Sequence, residues 1–318
     1  MDRLLYPIVF WIIYLLFQSI IGYFLVKRRV AQWIVWVFPL ISVGLAHFLF
    51  IQAPPAIRMV ALIVPLLHAM KIVVANLHPQ GRLPWRGWIG YYFFTVNMNP
   101  AIFASSKPKQ LDFKILAGAL LHLSLGVGLT LYLRYDTTTF PVSVSWFSAP
   151  WFSFWAYSIV ALVSLSLVLH FGLLPLNTFL LKSRGVADYP VFKQPFRSKS
   201  IAEFWGRRWN LAFSEMTATA MFKPLIRKVG VRWAGFLSFM LSGLLHEIAI
   251  SLSVMKGFGL PMLYFALHGL LMQLEKRWFK KRKPGTWWVV ASLVLPLPIL
   301  FHPYFVNGVL WWLIHWGK

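Results

Sequence analysis

The chain has 318 residues, 59% of them hydrophobic and 18% aromatic, and only 12% are charged, whereas a soluble domain carries about 25% charged residues. A water-soluble globular fold is excluded on that ground. Cysteine is absent, which removes disulfides, thiolate metal sites and a cysteine nucleophile.

A helix needs about 20 apolar residues to cross the hydrocarbon core of a bilayer. Such runs recur in chain order at 4–26, 33–51, 57–77, 113–133, 151–181, 233–254, 258–274 and 286–301, with a shorter ninth at 304–316. The first run has neither a basic leader nor a small-residue cleavage site, so it reads as a spanning helix rather than a removable signal. The expected fold class is an all-α polytopic membrane protein with eight or nine transmembrane helices, forming one membrane-embedded domain over residues 1–318.

The net charge of +23 is distributed unevenly. With nine spans and the N-terminus outside or lumenal, 25 of the 31 Lys and Arg fall on the cytoplasmic side, in the segments 27–29, 82–114, 182–232 and 276–283. That is the skew of the positive-inside rule. The charge is accounted for by the lipid bilayer, so nucleic acid is not an expected partner. Basic loops on that face also attract a polyanionic substrate from the cytoplasm. A bacterial inner membrane and an endoplasmic-reticulum membrane fit this multi-pass arrangement equally.

Two long connections interrupt the spans. Residues 78–112 are rich in Pro, Gly and aromatics, as expected of a re-entrant or surface-lying segment. Residues 182–232 open with Gly185, Pro190 and Pro195 and then give Ser200-x-x-Glu203. This is a capping box, in which the Ser hydroxyl accepts from the third helical N–H and the Glu reaches back. It predicts an amphipathic helix over about 200–222, ended by Pro224 and lying in the membrane interface. Phe204, Trp205, Trp209, Ala212, Met216 and Ala220 are its apolar residues, and Arg207, Arg208, Asn210, Ser214 and Glu215 its polar ones.

In the span 233–254, Ser238, Ser242, His246, Ala249 and Ser253 recur every three or four residues, forming one small, polar stripe. Small residues admit a neighbouring helix and serines can hydrogen-bond across the contact, so His246 is expected to face protein. Glu247 lies about 100° round the helix. Ionisable residues at bilayer depth are costly and mark function.

A His near a surface amide suits acyl transfer to an alcohol. The hydroxyl must lose its proton as it attacks, and a positioned His is the usual base. An amide such as Asn210 can donate to the developing oxyanion. A thioester donor is already activated, so no Ser or Cys nucleophile is needed.

The run Phe204-Trp205-Gly206-Arg207-Arg208-Trp209-Asn210, preceded by Pro195-Phe196 and Ser200, resembles the signature of the wax synthase family. That family comprises the long-chain-alcohol O-fatty-acyltransferases of the membrane-bound O-acyltransferase superfamily. Phe236-Leu237 through Leu241-Ser242-Gly243-Leu244-Leu245-His246-Glu247 resembles its second block, in which a Leu-x-His-Glu element carries the essential His. The signature region is 190–253, and Phe301-His302-Pro303 is a weaker echo. The resemblance implies His246 as general base and Asn210 as its polar partner. Trp205, Arg207, Arg208, Trp209, Ser242 and Glu247 are then the substrate-binding candidates. It further implies acyl-CoA as co-substrate, arriving from the cytoplasm, a long-chain or other hydrophobic alcohol as acceptor, arriving from the bilayer, and no cofactor. The product is a wax ester.

Alternatives remain at the level of sequence. The same chemistry can acylate a sterol, a glycerolipid or a secondary metabolite. Arg207 and Arg208 can anchor lipid headgroups instead of CoA phosphates, and Glu247 can be structural. A proton-coupled transporter using His246-Glu247 is the rival from another class, although no internal repeat or paired broken helices are apparent. No two of the nine histidines lie three or four residues apart, and paired aspartates are absent. Clustered-His di-iron and Mg-diphosphate chemistry are therefore disfavoured, and no metal is expected. His47, His68, His122, His170 and His268 each read as packing residues of separate spans.

Overall fold

The computed structural model describes residues 2–104, 107–136, 151–279 and 284–316. All regular structure among the described residues is helical. Three long helices lead: α1 (Asp2–Arg28), α2 (Gln32–Phe50) and α3 (Pro55–Leu77). The α1 surface is apolar and exposed at Leu5, Phe10, Ile13, Phe17 and Phe24, as a lipid-facing helix requires. By contrast α3 is the buried centre, with Ile72, Val73 and Val74 at most 1% exposed. Arg58 holds the turn into α3 by donating to the carbonyls of Phe50, Ile51 and Ala53 at 2.6–3.3 Å, which satisfies the orphan C=O groups at the end of α2.

The Pro- and Gly-rich connection dips into the protein rather than lying on its surface. Its helix α4 (Trp85–Ile89) runs on into a π-helical turn, Gly90–Phe94. Trp88, Tyr91 and Tyr92 are fully buried there. Trp88 Nε1 donates to Ser19 O at 3.0 Å, Tyr92 OH to Gln18 Oε1 at 2.8 Å and Tyr91 OH to Met98 O at 3.0 Å. Lys71 of α3 donates from Nζ to the carbonyls of Tyr91, Tyr92 and Thr95, closing the open end of that turn.

The next spans are α5 (Phe113–Asp136) and α6 (Trp151–Ser166), the latter continuing through a π-helical stretch, Leu167–Leu173, into α7 (Leu174–Ser183). The signature region follows as α8 (Ile201–Glu203), a π-turn Phe204–Arg208, α9 (Leu211–Thr217), a second π-turn Ala218–Phe222, and α10 (Lys223–Val254). After it come α11 (Leu260–Trp278), α12 (Thr286–Val294), α13 (Leu297–Leu300), α14 (Pro303–Phe305) and α15 (Trp312–His315).

Among the described residues, six helices are long and apolar enough to cross a bilayer, and seven if the pair 286–300 and 303–315, bent by 67°, counts as one span. The full eight or nine spans are thus not confirmed among the described residues, for two reasons. The runs 286–301 and 304–316 fold as that bent pair. The run 258–274 falls on α11, which ends in Glu275, Lys276 and Arg277 and lacks the hydropathy of a free span. His302 makes the bend: its Nδ1 accepts from Phe305 N at 3.2 Å. Of the basic segment 276–283, residues 280–283 lie outside the described residues.

The amphipathic helix expected over 200–222 is present as two pieces. Asn210 takes a left-handed backbone conformation (φ +41°, ψ +66°) and breaks it. Pro224 does not end it either, because the helical run continues from Leu211 through the π-turn Ala218–Phe222 into α10 with Pro224 inside it. The break falls instead at Gly230 (φ +76°), where glycine is the residue that tolerates positive φ.

Candidate active site

The capping box forms with a small offset. Ser200 Oγ accepts from Glu203 N at 3.0 Å, while the Glu203 carboxylate accepts from Lys199 N at 3.1 Å, one residue earlier than expected. The other Glu203 oxygen pairs with Arg208 Nε at 2.8 Å. Arg208 also donates to the carbonyls of Lys193 and Gln194 at 3.3 and 3.4 Å. Its guanidinium thus holds the π-turn to the preceding loop, whereas Arg207 is exposed and free to meet an anion.

Trp209 and Trp205 leave the turn in different directions. Trp209 stacks on Phe204 at 5.3 Å and meets Phe192 and His170 edge-on at 4.9 and 5.7 Å. Trp205 lies among Phe239, Phe265 and His268 at 5.6–6.2 Å, and its Nε1 is buried without a hydrogen bond. Sequence gave no sign of His170 here. It is carried by the π-helical stretch of the 153–183 span, and such bulges often re-aim a side chain.

Asn210 is the N-cap of α9. Its Oδ1 accepts from Phe213 N at 3.2 Å, which commits the amide oxygen and leaves the NH2 group as the donor end. Three residues on, Phe213 lies against the His246 imidazole at 5.5 Å, and Phe265 of α11 lies against it at 4.4 Å.

His246 Nδ1 lies 2.8 Å from Ser242 O. A carbonyl only accepts, so Nδ1 carries the proton and Nε2 keeps its lone pair. The same i−4 contact fixes His68, His122, His268 and His315, so the tautomer alone does not single out His246. One observation does: its ring touches the helix that Asn210 caps.

The serine stripe does not bridge helices as expected. Ser238 and Ser242 donate to the carbonyls of Ala234 and Ser238 within their own helix. Glu247 turns away from His246: its two oxygens accept from Gly259 N at 2.7 Å and Met262 N at 3.2 Å, at the start of α11. Near the far end of α11, buried Glu275 accepts from Ile201 N at 2.8 Å and Trp288 Nε1 at 3.0 Å. Phe213, Phe265 and Glu275 were not legible in the sequence, because they are ordinary helix residues whose roles come from tertiary contact.

The model of the membrane bound O-acyl transferase family matches residues 189–267, which span both blocks. Named relatives are similar to parts of the chain. A long-chain-alcohol O-fatty-acyltransferase of Simmondsia chinensis is 39% identical over 72 residues, 20% of each chain. Probable long-chain-alcohol O-fatty-acyltransferase 9 of Arabidopsis thaliana is 28% identical over 153 residues, 42% of this chain and 45% of the relative. Acyl-CoA–sterol O-acyltransferase 1 of Arabidopsis thaliana is 27% identical over 120 residues, 35% of this chain and 34% of the relative. The chain thus spans less than half the length of each of these relatives.

Proposed function

We propose that the protein is an integral membrane O-acyltransferase that moves a fatty acyl group from acyl-CoA to a long-chain or other hydrophobic alcohol. The observation that carries this reading is the contact of Phe213 with His246, which joins the Asn210 block to the His-Glu block. His246 acts as the general base. Its Nε2 takes the proton of the alcohol while the alcohol oxygen attacks the thioester carbonyl. The Asn210 NH2 donates to the oxyanion of the tetrahedral intermediate. Collapse breaks the carbon–sulfur bond, and the departing CoA sulfur takes the proton back from His246. The product is an ester plus CoA-SH, and no acyl-enzyme forms. Trp205, against the Phe265 that lies on His246, and Ser242, whose carbonyl holds its Nδ1, border the base, and exposed Arg207 is the group that meets CoA phosphate.

The acceptor read first is a fatty alcohol, from the names of the Simmondsia and Arabidopsis relatives. A sterol is the second reading, from the name of the sterol acyltransferase. The test is product analysis in a host without ester synthesis. Cells expressing wild type or His246→Ala are fed a fatty alcohol or a sterol, and neutral lipids are identified by mass spectrometry. We expect ester from wild type and none from an equally abundant mutant. Ester surviving in the mutant removes His246 as base. No ester of either alcohol from wild type overturns the reading and leaves the transporter to be tested.

A further inference from the structure

The Leu-x-His-Glu element puts two ionisable residues side by side, yet their side chains part company. Both Glu247 oxygens accept from backbone N–H groups at the first turn of α11, Gly259 N and Met262 N. They occupy the end of a 19-residue helix where N–H groups lack intrahelical partners and the helix dipole favours negative charge. One turn further along α11, Phe265 lies 4.4 Å from the His246 imidazole and 5.6 Å from Trp205.

A second contact fixes the same two helices. At Gly243, one turn before Glu247, an added Cβ would meet Met262 Cα at 3.1 Å and Phe265 Cβ at 3.3 Å. The backbones of α10 and α11 therefore cross closely at Gly243, and Glu247 stops α11 from sliding along that crossing. The imidazole touches three groups: Ser242 O at Nδ1 and the rings of Phe213 and Phe265. Of these, Phe265 alone comes from outside the Leu211–Val254 stretch.

We propose that Glu247 is a positioning residue: by capping α11 it holds Phe265 against His246 and so sets the direction in which Nε2 points. Glu247 neither exchanges protons with His246 nor touches substrate. This rests on the proposed transferase reaction for its kinetic arm and on the fold alone for its second arm.

The kinetic arm compares Glu247→Ala, Glu247→Gln and Gly243→Ala at equal amounts of folded protein. Glu247→Ala is expected to lower kcat by about tenfold to a hundredfold, the range for a small misplacement of a catalytic group, with KM for acyl-CoA unchanged. Glu247→Gln keeps one acceptor oxygen and is expected to lose much less, with the pH profile of kcat unmoved. Gly243→Ala pushes the same helix away, so its effect and that of Glu247→Ala should be markedly non-additive in the double variant.

The second arm needs no substrate. Carbethoxylation of His246 by diethylpyrocarbonate, followed by peptide mass spectrometry, reports how tightly the imidazole is covered. Glu247→Ala and Gly243→Ala should both speed it several-fold, and Glu247→Gln should leave it near the wild-type rate. A Glu247→Gln variant as inactive as Glu247→Ala, with a shifted pH profile, would overturn the proposal in favour of a direct proton role. Unchanged kcat in Glu247→Ala, or unchanged modification of His246, overturns it as well. If wild type makes no ester, the reaction is wrong, and the modification rates alone still decide whether Glu247 positions His246.

Discussion

Asn210 carries two duties at one Cα, and substitution separates them. Its backbone sits at φ +41° while its side chain caps α9. Asn210→Gly keeps the backbone conformation and loses little as a cap, a few tenths of a kcal/mol. Asn210→Ala adds the left-handed penalty of about 1 kcal/mol to the loss of the cap, about 1 kcal/mol more. Both remove the amide proposed to donate to the oxyanion. We therefore expect Asn210→Gly to melt close to wild type in detergent and Asn210→Ala to melt several degrees lower, with ester synthesis down about a hundredfold in both. Activity retained in Asn210→Gly would reduce Asn210 to a backbone role. The neighbouring arginines split in the same way. Arg208, paired with Glu203 and bonded to two carbonyls, should destabilise by about 1 kcal/mol on change to Ala. Exposed Arg207 should leave melting unchanged and raise KM for acyl-CoA. An equal KM effect from both would place phosphate on Arg208 too.

At the scale of elements, the legible parts were those written in local sequence. Apolar runs gave the long helices, and Ser200-x-x-Glu203 gave the start of the signature helix. The break at Asn210 was not legible, because Trp209-Asn210-Leu211 contains neither Gly nor Pro. The strain is met by the Oδ1 cap and by Trp209 lodged against Phe204 and Phe192. Lys71 was likewise just a cation in an apolar run. It is 3% exposed and takes the three carbonyls that close the π-turn beside Tyr91, while Asp188, also buried, accepts from Thr95 Oγ1 at 3.3 Å and from Asn97 Nδ2. One ammonium thereby pins the dipping segment to α3, and Thr95 and Asn97 pass that anchor on to Asp188, just before the signature region. Lys71→Met strands those carbonyls where water is scarce, a cost of about 3 kcal/mol or more. Its monodisperse yield from detergent should fall severalfold against wild type, and wild-type yield and melting in the variant would show that the latch is dispensable.

For the whole molecule, the side of the membrane is the property that charge distribution predicts and helix packing does not. Residues 231–254 of α10 are long enough, at about 1.5 Å per residue, to cross a hydrocarbon core of about 30 Å. They separate exposed Arg207 from exposed Lys256. The α2–α3 turn carries exposed Gln52, two helix ends away from exposed Arg28. If the basic segments are cytoplasmic, Arg28, Lys107 and Arg207 share one side, and Gln52 and Lys256 the other. The chain has no cysteine, so any thiol signal reports the position where one is introduced. Five variants, Arg28→Cys, Gln52→Cys, Lys107→Cys, Arg207→Cys and Lys256→Cys, can be labelled with an impermeant maleimide in right-side-out and inside-out vesicles. We expect positions 52 and 256 to react in the former and positions 28, 107 and 207 in the latter. The reverse pattern would turn the protein over and put the acyl-CoA entrance on the outer face, where a cytoplasmic donor cannot reach Arg207. Positions 207 and 256 reacting on the same side would mean that α10 does not cross. The bend at Gly230 would then be re-entrant, and His246 would no longer sit between an aqueous donor and a membrane-dissolved alcohol.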